Sequence, residues 1–232
     1  MATFVVAHGA WSAGWAWKKM HPLLAAKGHR LVTPTCTGLG ERAHLASRDI
    51  DLDTHIADIV NVLEFEDLAG VHLIGHSYGG MVATGVADRA RSRIAALIYV
   101  DAFAPRDGDS VFSLLPEQTR AQRAGGAAAT GFIPSGAMPP DTSAEDVAWC
   151  TPRRKPQPVK TFEQAIRLKE DFTGPRHYIY CPKHSPDDRF GQFYQRAQRE
   201  KWAGAHALDA SHNPHITVPE TLANLLDTIA RG

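Results

Sequence analysis

At 232 residues the chain has the length of one α/β domain rather than two. Lys plus Arg total 25 and Asp plus Glu total 25, so the formal charge is zero, and no basic field exists to collect nucleic acid or anionic lipid. With 44% hydrophobic and 22% charged residues the composition supplies a sizeable core and excludes the disordered class.

Short β-branched or aromatic runs read as strands at Thr3–Ala7, Arg30–Pro34, Val71–Ile74, Ile94–Val100, His177–Cys181 and Ala205–Leu208. Helical spacing of apolar residues falls between or after them, at Trp15–Lys27, Asp53–Asp67, Gly80–Arg91, Phe190–Glu200 and Pro219–Ala230. In Asp53–Asp67 the apolar stripe is Ile56, Ile59, Val60 and Leu63, a face that would lie on a sheet. Strand and helix in alternation predict an α/β fold with a mostly parallel central sheet and helices on both faces.

One stretch breaks the rhythm. From Pro105 to Thr161 the chain carries Gly125–Gly126, six prolines between Pro134 and Pro158, and only short apolar clusters. Such a length is excessive for a plain connection, so the stretch reads as an inserted cap, residues 105–161, over a core of residues 1–104 and 162–232 in a single domain. Within it, Arg153–Arg154–Lys155 reads as solvated surface.

Cys36, Cys150 and Cys181 are odd in number and lack paired spacing, which fits neither a disulfide framework nor a zinc ribbon and points to a reducing, cytoplasmic setting. The longest apolar run, Ile94–Val100, is far shorter than a membrane span, and no export signal precedes it.

The sharpest local signal is Gly75-His76-Ser77-Tyr78-Gly79-Gly80, in which a strand runs into G-x-S-x-G and then a helix. This is the pattern of a nucleophile elbow, where a serine sits on a strained turn that only small neighbours permit. The first strand ends in His8-Gly9-Ala10-Trp11. Acyl transfer needs donors for an oxyanion, and the backbone N–H groups of Ala10 and Tyr78 are placed to supply them. His8 reads as a loop support. A serine nucleophile needs a base, and His212, in the loop after the last strand, is the favoured one, with His215 the weaker candidate. A metal site at His206, His212 and His215 lacks acidic or thiolate ligands nearby.

These residues, with Gly14-Trp15-Ala16-Trp17, Pro22-Leu23-Leu24, Gly28-His29, Met81, Ala102-Phe103-Ala104-Pro105 and Pro219 seven residues beyond His212, make a specific set. The sequence resembles the α/β-hydrolase superfamily, and within it the small branch of plant methyl-ester (methyl salicylate type) esterases and hydroxynitrile lyases, as a bacterial-type esterase member. The resemblance implies the α/β-hydrolase fold, a cap over Ser77 and no cofactor. Lyases of this branch carry threonine or asparagine where this chain has Gly9, or lysine where it has Asn213. Both lyase marks are absent here, which favours ester hydrolysis. The family's usual triad aspartate, just after the strand matching His177–Cys181, is missing. Asp101, at the end of Ile94–Val100, is the favoured acid because a carboxylate there can orient the same imidazole, and Asp187 is the alternative.

The expectation is therefore a cofactor-independent serine esterase acting on a small-molecule ester with a hydrophobic or aromatic acyl group and a small alcohol. Trp11, Phe103, Phe132, Met138 and Trp149 are expected to contact that substrate. A serine at the elbow disfavours haloalkane dehalogenase and epoxide hydrolase chemistry, which need a carboxylate nucleophile. Hydroxynitrile lyase activity and a weakly catalytic ligand-binding protein of the same fold are the alternatives. The oligomeric state stays open, a homodimer included.

Overall fold

A computed structural model describes residues 1–183 and 188–232. Six strands, β1 (Thr3–Ala7), β2 (Arg30–Val32), β3 (Val71–His76), β4 (Ile94–Val100), β7 (Arg176–Tyr180) and β8 (Gly204–Ala207), form one sheet in the order β2-β1-β3-β4-β7-β8. Every pairing in it is parallel. Strand order reverses between β1 and β3, so the crevice at their carboxyl ends is the place such a sheet offers a ligand. The expected strands are all present, with ends shifted by one or two residues.

The period-2 alternation of a strand sorts this sheet's side chains onto two cores. Val5, Ala7, Leu73, Leu97, Tyr99 and Tyr178 pack on one side, against α2 (Leu52–Phe65), α3 (Gly79–Arg89) and α8 (Gly191–Arg199). Phe4, Val6, Ile74, Ile98, Val100 and Ile179 pack on the other, against α1 (Met20–Ala26) and α10 (Pro219–Arg231). Burying each such leucine, isoleucine or phenylalanine contributes about 1.5–3 kcal/mol. The stripe of α2 is as expected: Ile56, Ile59 and Leu63 are fully buried, and Asp51 caps the helix by accepting from the Thr54 amide at 2.8 Å.

The helix expected from Trp15 to Lys27 is shorter. Gly14–Trp17 forms a 3₁₀ turn and α1 begins at Met20. Pro22 has no N–H to give and is tolerated only in a first turn, so the α-helix cannot extend back to Trp15.

Between β4 and β7 the chain leaves the sheet. This excursion carries α4 (Val111–Leu114), α5 (Glu117–Ala127), β5 (Phe132–Ile133), α6 (Ala144–Cys150), β6 (Gln157–Pro158) and α7 (Lys160–Glu163), with β5 and β6 paired antiparallel. It is fastened to the end of β1 through Trp11. The Trp11 amide donates to Gln157 Oε1 at 3.1 Å, its indole N–H to the Ile133 carbonyl at 2.8 Å, and its carbonyl accepts from the Lys155 amide at 3.2 Å. A short α9 (Pro214–Thr217) separates β8 from α10.

Candidate active site

Parallel register sets the first two site residues side by side. His76 pairs with Val100, so the next residues, Ser77 and Asp101, leave adjacent strand ends together. The Ser77 amide donates to the Val100 carbonyl at 3.3 Å, and the Ser77 carbonyl accepts from Phe103 N–H at 3.1 Å. Ser77 and Asp101 both adopt left-handed backbone, with φ of 55° and 44°, as does Trp11 at 60°. Such geometry costs a non-glycine residue on the order of 1 kcal/mol or more and persists only where its surroundings over-determine it. At the elbow the surroundings do so. A Cβ on Gly75 would lie 2.8 Å from the Gly79 carbonyl oxygen, and one on Gly79 would overlap the Ala7 carbonyl. Only glycine at both positions lets strand, turn and helix close around Ser77.

His212 comes from the loop between β8 and α9. Its Nε2 accepts from the Ser77 hydroxyl at 2.9 Å, and its Nδ1–H donates to Asp101 Oδ2 at 2.7 Å. Asp101 is fully buried; its second oxygen, Oδ1, accepts from the Cys181 amide at 3.1 Å, and its own amide donates to the Ile179 carbonyl at 2.7 Å. Cys181, just past β7 where the resemblance led one to expect the acid, donates its amide to Asp101. Asp187 lies outside the described residues.

The base loop is held from three sides. The Ser211 amide donates to Asp141 Oδ2 at 3.1 Å, and the Ser211 hydroxyl bonds the same carboxylate. His76 Nε2–H donates to the His212 carbonyl at 2.7 Å. The Phe190 ring lies parallel to the imidazole, centroids 5.0 Å apart. Burial, and then the neighbouring His212, push the His76 imidazole down to about 3, so His76 stays neutral with its proton on Nε2. Asp141 and Phe190 sit in no motif and His76 occupies a variable position of G-x-S-x-G, so their parts in holding the loop were not visible in the sequence.

The amides of Ala10 and Tyr78 belong to the two segments flanking Ser77, and neither donates to another described residue. The Tyr78 side chain points away from them. Its hydroxyl donates to His55 Nδ1 at 2.9 Å while His55 Nε2–H donates to the Thr37 carbonyl at 3.0 Å, and its ring stacks on Phe162, centroids 5.6 Å apart. That anchor holds Tyr78 in place beside Ser77.

His8 is wholly buried. It donates from Nδ1 to the Gly9 carbonyl at 2.9 Å and accepts from the Cys36 amide at 3.0 Å, the loop support expected of it. His215 is also buried, stacked on Trp17 at 4.6 Å, and burial lowers its pKa well below the usual imidazole value; the imidazole on Ser77 is that of His212. Among the described residues no group of three or more His, Cys, Asp or Glu side chains is arranged to hold a metal ion.

A cavity of about 350 Å³ opens over Ser77, walled by Ala10, Trp11, Phe103, Met138 and Phe162 among others. Of the expected substrate contacts, Trp11, Phe103 and Met138 line it. Phe132 does not: it lines a separate surface groove with Gly38, Pro134 and Pro156, on a strand paired with β6. Trp149 does not either, its ring packed edge-on against Trp15 at 5.1 Å, with the Arg153 guanidinium over it at 4.9 Å. The Arg153–Arg154–Lys155 run is not uniformly solvated surface, since Arg154 forms part of the cavity wall.

Comparison with known proteins agrees with this geometry. Residues 4–225 match the model of the alpha/beta hydrolase family. A protein named carbendazim hydrolyzing esterase, from Nocardioides sp. (strain SG-4G), is 41% identical over 97% of this chain and 98% of its own. Methylesterase 3 of Arabidopsis thaliana is 26% identical over 97% of this chain and 95% of its own. Among solved structures, an extracellular α/β-hydrolase from a Paenibacillus species superposes with a TM-score of 0.84 at 23% identity, covering 98% of each chain. The chain belongs to the α/β hydrolase family. Its kinship with proteins named esterases supports the carboxylic-ester hydrolase class for it and does not favour the lyase or binding-protein alternatives.

Proposed function

We propose that this protein is a cofactor-independent serine esterase in which Ser77, His212 and Asp101 form the catalytic triad. The observation that carries the reading is the single imidazole that reaches the Ser77 hydroxyl at 2.9 Å with one nitrogen and a fully buried carboxylate at 2.7 Å with the other. His212 Nε2 takes the hydroxyl proton as Ser77 Oγ attacks the ester carbonyl. Asp101 holds the tautomer and stabilises the imidazolium. The amides of Ala10 and Tyr78 receive the oxyanion, each such donor being worth a few kcal/mol of transition-state stabilisation. His212 then returns the proton to the departing alcohol. Water, activated by the same imidazole, attacks the acyl-enzyme and releases the acid and free Ser77.

The excursion acts as a cap. It supplies Met138, Arg123, Arg154 and Phe162 to the cavity and locks Trp11 by three hydrogen bonds. A cavity of about 350 Å³ suits an acyl group of aromatic size with a small alcohol. Both Trp11 and Phe103 offer it apolar surface. The reducing cytoplasm is the setting proposed, on the three buried, unpaired cysteines. Burial pushes the thiols of Cys36 and Cys181 well up, away from reactivity. Among the described residues no helix is long and apolar enough to cross a membrane.

The test is the initial rate on a short-chain p-nitrophenyl ester for wild type beside Ser77→Ala, without added metal or cofactor. Repeated turnover by wild type and none above background by the variant is the expected result. Equal rates would remove Ser77 from the mechanism.

A further inference from the structure

The cavity over Ser77 has one chemical asymmetry that esterase chemistry does not use. Its wall includes the guanidinium groups of Arg123, from α5, and Arg154, from the turn before β6, yet among the described residues no Asp or Glu lines it. Both arginines are half-buried, and among the described residues neither forms an ion pair. Arg123 reaches only the Pro134 carbonyl, at a long 3.5 Å, and Arg154 the Gly136 carbonyl at 2.6 Å. Several other cations do find carboxylates: Lys183, also on the cavity wall, bonds Asp209 at 2.9 Å, Lys19 pairs with Asp146 and Arg42 with Asp58.

The two guanidiniums share a platform. Arg123 lies over the Trp11 ring at 4.6 Å from its centroid and Arg154 at 5.8 Å. Stacking satisfies the flat face of a guanidinium and leaves its edge of N–H donors, five in all, for something else. Among the described residues each edge spends one donor on the protein. Two like charges held together at a half-buried wall are also electrostatically costly. Arg123 is disfavoured in its charged form first by burial and then by Arg189 and Arg154, and burial likewise works against Arg154. A bound anion reverses both effects at once, because it pairs the charges and fills the donor edges.

We propose that Arg123 and Arg154 form a carboxylate subsite, so that the preferred substrates are half-esters: the ester carbonyl sits at Ser77, an aromatic or apolar spacer packs on Trp11 and Phe103, and a free carboxylate is gripped by the two arginines. The proposal rests on reading Ser77 as the esterase nucleophile but makes a binding claim of its own. It adds a charge requirement to the acyl group, which the apolar walls alone would not impose.

The experiment is calorimetric binding of terephthalate, a dianion, against neutral terephthalamide, for wild type, the R123Q/R154Q double variant and the R123K/R154K double variant. Wild type is expected to bind the dianion about tenfold or more tighter than the amide, with the preference shrinking as salt rises. That ratio should fall toward one in R123Q/R154Q and survive in large part in R123K/R154K, which keeps the charge and separates it from packing. The matching kinetic ratio, kcat/KM for monomethyl over dimethyl terephthalate, should move in parallel, chiefly through KM. No preference for the dianion in wild type, or a preference that persists unchanged in R123Q/R154Q, overturns the proposal. If wild type hydrolyses no ester but binds terephthalate with the expected preference, the esterase reading fails and the anion subsite stands.

Discussion

The carboxyl edge of the sheet and the excursion above it are built by different rules. At the sheet edge, backbone decides position. The parallel register of β3 and β4 sets Ser77 beside Asp101, the glycines leave no room for another path, and three residues are held at left-handed φ. In the excursion, side chains decide position: Trp11 hydrogen-bonds into it, Asp141 reaches back from it to Ser211, and the two arginines stack over an indole. Changes at the edge should therefore alter turnover, and changes in the excursion should alter substrate choice. On the proposed reading the edge carries the reacting atoms and the excursion carries the walls.

The largest effect expected is at the edge. Asp101→Asn should lower kcat by about 10⁴ while leaving the fold intact, as removal of a triad carboxylate does elsewhere, and a steady-state assay with a circular dichroism control checks both halves. A loss of tenfold or less would move the acid away from Asp101.

Next comes acid sensitivity of the fold. His76 and His55, both buried, are held neutral by that burial, at about 3 and 4. Their folded-state values lie below the unfolded value of about 6.5, so the unfolded chain binds more protons below that pH. Stability should be flat with respect to these groups above pH 7 and fall as the pH drops from 6.5 toward 4, by up to about 1.4 kcal/mol per pH unit for each histidine that stays neutral when folded. Urea midpoints at pH 7 and pH 5 read this directly, and equal midpoints would contradict it.

Trp11→Phe sharpens the contrast from the excursion side. It deletes the indole N–H bond to Ile133 at 2.8 Å and shrinks the platform under the arginines, so KM should rise by several-fold to tenfold with kcat changed by less than about threefold. A dominant fall in kcat would place Trp11 with the reacting groups instead. Tyr78→Phe should do little to kcat, because the donor at that position is the backbone N–H. It should cost about 1–3 kcal/mol of stability through the unmet His55 Nδ1, measured by denaturant unfolding. Smallest of all, Asp187→Asn should leave kcat within about twofold, since His212 Nδ1 is already occupied by Asp101.

The same contrast explains how far the sequence alone could be read. Ser77 stood out because an elbow needs small residues at fixed offsets, and His212 because it lies in the loop after the last strand; the structure brings the two side chains within hydrogen-bond distance. Asp101 was visible as a carboxylate at a strand end, even though the branch's usual position holds none. The sheet and its two faces followed from period-2 runs and helical stripes. The walls did not follow. Phe132 and Trp149 carry the right chemistry for a substrate contact, but whether a ring faces the cavity depends on the pairing of β5 with β6 and on the packing of Trp15, neither of which leaves a local trace. Arg123 sits in a charged helix and Arg154 in a basic run, and both patterns ordinarily mark solvated surface. Asp141 acts through a contact 70 residues away in the chain.

The measurement that tests the central claim most directly is stoichiometric labelling with an organophosphonate ester, followed by intact mass and peptide mapping, in wild type, Ser77→Ala and Asp101→Asn. One adduct per chain is expected, on Ser77, with loss of activity proportional to labelling, much slower labelling in Asp101→Asn and none in Ser77→Ala. An adduct on another residue, or full ester turnover after Ser77 has been modified, would contradict it.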